Sequence, residues 1–520
     1  MLPTRLAAVR TVVPAVAPAV APALALLMVA IAVRLVRLDS DPLWIDEAAT
    51  IGIARMDWAV ILGPMAAAES SPPGFYLLAK LWMLAFGEDI VVLRLLTVLA
   101  GVASLLPVWL LARAAHGRRA AWIAAGFVAL AATHVRLSQD GRCYTVLFLT
   151  TCWAAVLGMA IANAIRNERK VLWPAAGYGL LLGAMLWLHA TAALIGLSLN
   201  AMVIAALLPG WRQFRRGIVV LLAANLLAVL VASGPLLAMF HHIVGQALYV
   251  DRWLPPPTVL GTAHLYGTTL VAPFLDDLSL LALLLQTVLL AVAAVLWWRS
   301  RNPVLFAMAA MLLVGDVAMP LASLIRPVLM DRTVLFLLLP LAVLLAAGTA
   351  SLPRAVFLPV AVVLLGLQAY GTYGWHSLET RKERWDSAAE YLLKSMQPGE
   401  PIVVTEGAFA EISLAAHFRQ LGAAPPRMIL VPPRSAMEQL AARQLAPGRV
   451  RTADQLCGEL AGHGDTLWLV MRDLPSVVDD DRGFTTQSVV HAMLAARGAT
   501  RLAHEATTGV AMERWRLPGC

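Results

Sequence analysis

The chain has few charged residues. Lysine, arginine, aspartate and glutamate together make up only 14% of its 520 residues, whereas apolar residues make up 60% and the mean hydropathy is +0.74. A soluble globular protein of this length does not need so much apolar surface, but a protein with many membrane-spanning helices does. The composition therefore excludes an ordinary soluble fold and predicts an all-α polytopic membrane protein.

Other absences narrow the possible functions. The four cysteines have no metal-like spacing, which argues against a zinc or iron–sulfur site. The net charge is +8, but no basic stripe is interleaved with aromatic residues, so we expect no nucleic-acid partner. No cleavage site ends the first apolar stretch, which we interpret as a retained anchor helix rather than a removed signal peptide.

About eleven apolar runs are long enough to span a bilayer, for which roughly 20 residues are needed. They lie near 13–38, 91–112, 120–136, 144–165, 171–188, 190–209, 217–240, 278–298, 304–325, 332–350 and 354–372. The stretch 171–209 fits either two short helices or one helix with a re-entrant turn.

Basic residues between these runs indicate the orientation. If the N-terminus lies inside the cell, every dense cluster of arginine and lysine falls on the cytoplasmic side, as the positive-inside rule requires. These clusters lie at 113–119, 166–170, 212–216 and 299–301, with Arg354 as a single further cation. The long segments 39–90 and 241–277, and everything after about 373, then lie on the outer face.

The composition changes near residue 376, which divides the chain into a membrane domain, 1–375, and an outer domain, 376–520. In the second, apolar bursts at 401–404, 428–431 and 467–470 alternate with helical patterns near 407–420, 434–446, 452–462 and 485–497. This alternation predicts a small extracytoplasmic α/β domain. Within the first outer loop, 39–90, the run 53–65 fits either a helix in the membrane interface or a plain loop.

Two adjacent acids, Asp46 and Glu47, follow the first apolar run, in the sequence Leu43-Trp44-Ile45-Asp46-Glu47. Carboxylates beside a bilayer are costly unless something uses them. One can serve as a general base that takes a proton from an acceptor hydroxyl, and its neighbour can raise its pKa or help to hold a cation. The alternative is a solvated acid pair outside a helix.

A second polar cluster lies on the same face, at 136–144, between two apolar runs. Its members are Arg136, Gln139, Asp140, Arg142 and Tyr144. An arginine there can hold a phosphate through its planar fork, or it can pair with Asp140 or with lipid headgroups. His189 and Arg332 also lie at outer helix ends, and a structural role for His189 is as good an expectation as a functional one. Acids and arginines at outer helix ends predict a pocket for an anionic, lipid-linked substrate.

Several motifs resemble those of the membrane-embedded GT-C glycosyltransferases of the dolichyl-phosphate-mannose protein mannosyltransferase type. Bacterial relatives in that superfamily include aminoarabinose–lipid A transferases and lipopolysaccharide-core galacturonosyl transferases. The matching segments are Trp44-Ile45-Asp46-Glu47, Glu69-Ser70-Ser71-Pro72-Pro73-Gly74-Phe75-Tyr76, Leu93-Arg94-Leu95, Gln139-Asp140-Gly141-Arg142-Cys143-Tyr144, His189, Arg332 and Lys382-Glu383-Arg384-Trp385. Two positions depart from the pattern, because Ser71 replaces a frequent histidine and Thr333 replaces a tyrosine.

The resemblance implies an inverting transfer of a sugar from a polyprenyl-phosphate donor to a lipid, glycan or protein acceptor, on the periplasmic face of a bacterial inner membrane. It implies that Asp46 is the base and that Glu47 and Glu69 position it or a divalent cation, with Asp46 and Glu69 as the metal ligands if a metal is used. Arg142, together with Arg332, is expected to hold the donor phosphate. The same motifs add Arg94, Gln139, Tyr144 and His189 to the expected substrate site.

Two other classes of protein fit the topology. A transporter or flippase of lipid-linked saccharides should carry charges near the bilayer midplane on interrupted helices. Asp316 is the one such charge that we find, and Gly315 beside it can mark a break. A polymerase of lipid-linked saccharides differs from the leading hypothesis only in its substrate.

Overall fold

A computed structural model describes residues 21–69, 71–208, 210–245, 256–326, 328–379, 381–432, 436–452, 455–456, 458, 465–473 and 486–518. The first part of the apolar run 13–38 and most of the stretch 452–462 lie outside these residues. What is described consists of a bundle of apolar helices and, after it, a small mixed α/β domain.

The first outer loop contains three helical segments beyond the anchor helix α1, Ala21–Leu35. They are α2, Ile45–Arg55, then α3, Trp58–Ala68, which contains a π-helical turn, and α4, Gly74–Phe86. The axes of α2 and α3 bend by 118° at the break between them. The run 53–65 is therefore mostly helical, but it belongs to two helices, and α4 is a helix that the sequence pattern did not predict.

The helices of the bundle follow in chain order. They are α5 Ile90–Ala103, α6 Leu105–Leu130, α7 Ala132–Ser138, α8 Tyr144–Arg166, α9 Leu172–Leu188, α10 Ala192–Leu207, α11 Trp211–Val231, α12 Ser233–Gly245, α13 Val259–Tyr266, α14 Ser279–Ser300, α15 Pro303–Ile325, α16 Leu338–Ala350 and α17 Arg354–Ser377. Within the described residues, six helical stretches are long and apolar enough to cross a membrane, or seven if α2 and α3 form one span. The count of eleven spans stays a prediction.

Particular residues interrupt the helices of the bundle. Gly117 has a φ of +79° and, with His116, interrupts the helical backbone inside α6, which separates the predicted runs 91–112 and 120–136. His189 and its neighbours interrupt the stretch 171–209 between α9 and α10. This stretch is therefore two short helices.

Helix α16 occupies the centre of the bundle. All of its residues are buried, and it consists almost entirely of leucine, alanine and valine. A helix that is apolar on every side is stable in lipid or inside a bundle of other helices, and α16 is surrounded by other helices. Close approach is possible at Gly348, where an added Cβ would collide with the backbone of Leu289 in α14.

Three of the basic loops lie together at one end of the bundle. Nδ2 of Asn302, just before α15, donates to the carbonyl of Ala115 at 2.9 Å. The guanidinium of Arg119 lies 5.3 Å from the ring of Phe357 in α17. The loops near 115, 302 and 354 therefore share one face of the bundle.

The outer domain begins with α18, Trp385–Ser395, and contains a five-stranded sheet of order β2-β1-β3-β5-β4. Its elements are β1 Ile402–Val404, α19 Gly407–Gln420, β2 Met428–Leu430, α20 Ala436–Leu445, β3 Thr466–Arg472, α21 Thr486–Ala496, β4 Thr500–Thr507 and β5 Val510–Arg516. Strand β1 pairs in parallel with β2 and β3, whereas β5 runs antiparallel to β3 and β4. The three apolar bursts are strands as predicted, and the hairpin of β4 and β5 is an addition.

The outer domain and the first loop share an apolar core. Trp468 and Val470 of β3 belong to the same buried cluster as Ile51 and Ile53 of α2. Alternate residues of β3, such as Leu469, face a second cluster under α21. Because α2 packs against this domain, the helix that carries Asp46 lies between the membrane bundle and the outer sheet.

Candidate active site

Asp46 is the second residue of α2, and arginines from two other parts of the chain contact it. Its Oδ2 accepts a hydrogen bond from Nη1 of Arg332 at 3.0 Å. Its backbone carbonyl accepts one from Nη1 of Arg142 at 3.2 Å, and the same nitrogen donates to Thr50 Oγ1 at 3.2 Å. A carboxylate and two guanidinium groups therefore meet at one point.

These charges keep Asp46 ionised. Burial alone would raise the pKa of the Asp46 carboxyl, but the positive charges of Arg142 and Arg332, and then of Arg472, outweigh burial, so that its pKa lies below the usual value. An ionised carboxylate held by cations is a weak base, and its basicity increases when one of those cations is drawn to another anion.

Arg332 also contacts an aromatic side chain. Its guanidinium carbon lies 5.5 Å from the ring of Tyr144, the first residue of α8. In the place of the expected tyrosine, Thr333 donates from Oγ1 to the carbonyls of Val328 and Met330 at 2.7 and 2.9 Å. The threonine therefore fixes the turn that presents Arg332.

His189 lies in the turn between α9 and α10, next to Tyr144. The two rings are 5.7 Å apart, and Nδ1 of His189 lies 2.8 Å from Thr191 Oγ1. Burial, together with the charges of Arg142 and Arg332, lowers the pKa of His189 to about 3. His189 is therefore a neutral lining residue at physiological pH.

Glu47 points away from Asp46 into the protein. Its side chain is fully buried and accepts hydrogen bonds from Nε and Nη2 of Arg94 at 2.8 and 2.7 Å. Nζ of Lys382 lies 3.0 Å from Glu47 Oε1, and the amide of Gly141 donates to the same oxygen at 2.9 Å. These partners leave Glu47 outside the cavity that Asp46 lines, so its contacts hold the first loop in place.

Arg94 and Gln139 have similar surroundings. Arg94 donates to the carbonyls of Leu38, Asp41 and Pro42 at 2.7, 3.0 and 3.1 Å, in addition to Glu47. Gln139 donates to the carbonyls of Arg34 and Val36 and accepts from the indole of Trp375. Both side chains are buried and do not line the cavity.

Glu69 follows α3 and does line the cavity. Its Oε1 accepts a hydrogen bond from the amide of Ser71 at 2.9 Å. Within the part of the chain that the structure describes, no group of three or more histidine, cysteine, aspartate or glutamate side chains is placed to hold a metal ion. Around Asp46, the positive charge in this structure comes from guanidinium groups.

The segment 381–383, between α17 and α18, contacts the first loop through three successive charged side chains. Arg381 Nε donates to Asp41 Oδ1 at 2.8 Å. Lys382 Nζ contacts Glu47, and it also lies 3.4 Å from Asp140 Oδ1. Oε2 of Glu383 lies 3.5 Å from the backbone amide of Ile45. The Lys-Glu-Arg-Trp motif signals this segment in the sequence, but its contacts with the first loop could not be read from it.

Asp46 lines a cavity of about 1560 Å³, more than the roughly 300–1,000 Å³ of an ordinary ligand pocket. The cavity is polar where Arg136, Arg142 and Arg332 line it and apolar where α10, α13 and the end of α15 meet, with Leu194, Leu265 and Ile325. The outer domain contributes a third wall, formed by Glu406, Phe409, Met437, Glu438, Arg472 and Thr508. The sequence did not predict this wall, because no local motif distinguishes these residues from others in the domain.

Comparison with known proteins gives one family match. Residues 70–237 match the family described as dolichyl-phosphate-mannose-protein mannosyltransferase. This segment contains Arg94, Arg142 and His189 but not Asp46. A comparison with curated protein sequences finds no match.

Solved structures give longer matches. ArnT from Cupriavidus metallidurans in the apo state has a TM-score of 0.59 at 13% identity, over 96% of this chain and 98% of that one. The same protein bound to undecaprenyl phosphate has a TM-score of 0.57 at 13% identity, over 95% and 97% of the two chains. The Archaeoglobus fulgidus oligosaccharyltransferase, in complex with zinc and sulfate, has a TM-score of 0.52 at 14% identity, over 86% and 68%. The chain has the GT-C fold of these membrane proteins.

Proposed function

We propose that the protein is an inverting glycosyltransferase that moves a sugar from a polyprenyl-phosphate donor to a hydroxyl of a lipid, glycan or protein acceptor. The observation that carries this proposal is the contact of Asp46 with Arg332 and Arg142 in one cavity. A proton acceptor and two phosphate-holding cations are the groups that such a transfer needs.

In the proposed reaction, the acceptor oxygen attacks the anomeric carbon of the donor sugar. The acceptor O–H bond breaks as its proton passes to the carboxylate of Asp46. The bond from the anomeric carbon to the phosphate oxygen breaks on the opposite face, and its electron pair leaves with polyprenyl phosphate. Arg142 and Arg332 hold the developing charge on that phosphate through charge-assisted hydrogen bonds.

The shape of the cavity supports a lipid-linked donor. Its polar end contains the arginines, and its apolar end lies between helices whose outward residues are exposed, such as Ile325 and Leu324. A polyprenyl chain needs an apolar path beside the site that binds its phosphate. The solved ArnT structure with undecaprenyl phosphate has the same fold, which supports the same class of donor here.

The proposed location is the periplasmic face of a bacterial inner membrane, with the N-terminus in the cytoplasm. The support is the shared face of the basic loops near 115, 302 and 354, because clustered positive charge normally stays in the cytoplasm. Arg332 precedes α16, at the end of that helix opposite the loop near 354, and Asp46 is paired with it. The outer domain would then be periplasmic.

A transporter receives less support. Helix α15 runs from Pro303 to Ile325 without a break at Gly315, so Asp316 does not lie on an interrupted helix. Asp46 lies in the first turn of α2, and Arg142 and Arg332 lie in turns between helices, so none of these three charges lies in the middle of a helix. We therefore keep transfer as the proposed activity.

Purified protein in lipid nanodiscs, given a labelled polyprenyl-phosphate sugar and an extract of membrane acceptors, tests the proposal. The Asp46→Asn variant should transfer sugar at least about 100-fold more slowly, as expected for the loss of a general base. Asp57→Asn is the matched control, since Asp57 is an exposed aspartate of the same loop outside the cavity. Undiminished transfer by Asp46→Asn would refute the proposal.

A further inference from the structure

The last strand residue of β3, Arg472, reaches out of the outer domain into the cavity. Its Nε and Nη2 both donate to Glu383 Oε1, at 2.9 and 2.5 Å. The side chain of Glu383 is only 8% exposed and that of Arg472 is 23% exposed, so this ion pair is largely shielded from solvent. Such a pair is strong only while both partners are present, because removing one leaves a buried charge without compensation.

The other oxygen of Glu383 faces the start of α2. Oε2 accepts a hydrogen bond from the indole of Trp385 at 2.8 Å and lies 3.5 Å from the amide of Ile45. Ile45 is the first residue of α2, and Asp46 is the next. A carboxylate beside the first amides of a helix interacts favourably with the positive end of the helix dipole. Glu383 therefore connects Arg472 to the helical turn that carries Asp46.

The outer domain also packs against α2 further along the helix, which is a second contact between them. A Cβ added to Gly52 would lie 3.0 Å from both Phe409 and Ile412 of α19 and 3.1 Å from Leu445 of α20. Ser413 Oγ donates to the carbonyl of Leu43, just before α2. Helix α2 therefore packs between the outer domain on one side and Arg94 of the membrane bundle on the other.

We propose that Glu383 and Arg472 form a positioning pair, through which the outer domain holds the N-terminus of α2 so that Asp46 faces the donor phosphate site. The outer domain is then part of the active site, since it forms one wall of the cavity and sets the orientation of the base. The inference rests on the proposed function, because it concerns the base of that reaction.

The physical reason is the sensitivity of proton transfer to geometry. A general base must lie within hydrogen-bond distance of the proton that it takes, and displacement by about 1 Å can reduce the rate by up to about 100-fold. Asp46 lies in the first turn of α2, so a shift of that turn moves its carboxylate directly. The donor phosphate site depends on Arg142 and Arg332, which Glu383 and Arg472 do not contact.

A double-mutant cycle in nanodiscs tests the pair. Glu383→Gln and Arg472→Gln should each lower kcat about 10-fold, and the double variant should be no slower than either single variant. The dissociation constant for unglycosylated polyprenyl phosphate should stay within about twofold of the wild type. Arg384→Gln is the matched control, because Arg384 pairs with Asp386 in the neighbouring turn, outside the cavity, and should keep the wild-type kcat.

Further outcomes decide against the inference. Wild-type kcat in Arg472→Gln, or single effects that add in the double variant, would overturn it. If kcat, the affinity for the phosphate and the melting temperature all fell together, the pair would have only a structural role. That result would overturn the inference as well. If Arg472→Gln does not fold, Arg472→Lys takes its place, since lysine keeps the charge but has one donor nitrogen in place of the two, Nε and Nη2, that contact Glu383. Its kcat should fall about 3- to 10-fold.

The two proposals fail in different ways. If the wild-type protein transfers no sugar, or if Asp46→Asn transfers it normally, the proposed function fails. If the wild type transfers sugar through Asp46 but Arg472→Gln behaves as Arg384→Gln does, only the positioning pair fails.

Discussion

Arg332 Nη1 and Asp46 Oδ2 lie 3.0 Å apart, so the residue proposed to hold phosphate is paired with the residue proposed to act as base. A phosphate entering the cavity competes with Asp46 for this guanidinium. When Arg332 turns to the phosphate, Asp46 loses a neutralising partner and its affinity for a proton increases. In the proposed reaction, donor binding would therefore prepare Asp46 to take the proton of the acceptor.

The first prediction concerns donor affinity. Arg332→Gln should weaken the binding of polyprenyl phosphate by about 10- to 100-fold, because a hydrogen bond to a charged group contributes roughly 1.5–3 kcal/mol. Binding of a fluorescent polyprenyl phosphate to nanodiscs measures the change. Arg354→Gln, which alters an exposed arginine at the start of α17, should bind as the wild type does. Equal affinity in both variants would remove Arg332 from the donor site.

The second prediction concerns the pH dependence of transfer. Arg142 and Arg332 lower the pKa of Asp46 below its usual value of 3.8, against the opposing effect of burial. The wild-type kcat/KM, whose pH profile reports the free enzyme, should therefore lose activity from this group only below about pH 4. In Arg332→Gln one of these cations is gone, so the acidic limb should move to higher pH. A pH profile of the residual transfer measures the limb, and a shift to lower pH would contradict the assignment.

The third prediction concerns the pH dependence of stability. Burial raises the pKa of Glu406 from 4.5 to about 7, and the charge of Arg472 offsets this only in part. The folded protein therefore binds this proton more tightly than the unfolded chain, and stability falls as pH rises from about 4.5 to about 7.

Glu406→Gln should consequently be more stable than the wild type at pH 8, by about 1–3 kcal/mol, since each pKa unit corresponds to roughly 1.4 kcal/mol. Near pH 4.5 the two proteins should melt at nearly the same temperature. Thermal unfolding at the two pH values measures the difference. A constant difference would exclude Glu406 as the titrating group.

The fourth prediction separates Glu47 from its neighbour Asp46. Glu47→Gln should destabilise the protein by roughly 3–5 kcal/mol, because Arg94 and Lys382 would keep their charges without this buried partner. Asp46→Asn should leave the melting temperature within a few degrees of the wild type. Thermal unfolding in detergent measures both variants, and a stable but inactive Glu47→Gln would instead make Glu47 a member of the reaction site.

The fifth prediction concerns the packing of α4. A Cβ on Gly74 would lie 2.5 Å from the backbone oxygen of Trp187 in α9. Gly74→Ala should therefore force these helices apart and cost about 1–3 kcal/mol. Gly63→Ala is the control, because a Cβ there meets no atom within 4 Å. If both variants melted at the same temperature, this close approach would be absent.

Local patterns were sufficient to predict much of the architecture. The helical bundle and the outer α/β domain were predicted from apolar runs, basic loops and the compositional change near residue 376. This was possible because the preference of each segment for lipid or water depends on its own residues. Three of the five strands were predicted from short apolar bursts. Strand β4 was missed because most of its residues are exposed, so it has no apolar run.

The motifs identified Asp46, Arg142 and Arg332 as candidates, and the resemblance assigned the role of base to Asp46, but the residue pattern by itself could not separate Asp46 from Glu47. Adjacent residues on a helix point in directions about 100° apart. The positions of Arg94 and Lys382 decide which of these two side chains points into the cavity. Both residues come from distant parts of the chain. The same holds for Arg94 and Gln139, whose partners are backbone carbonyls that no motif specifies.

The sequence by itself determined that this is a membrane protein with acids and arginines at the ends of its helices, because hydropathy and charge are properties of individual segments. Only the tertiary structure decided that Arg332 pairs with Asp46, that Glu47 is buried against Arg94, and that Arg472 of the outer domain reaches the same cavity. Those contacts join residues from 47 to several hundred positions apart, and packing, which depends on the whole chain, brings them together.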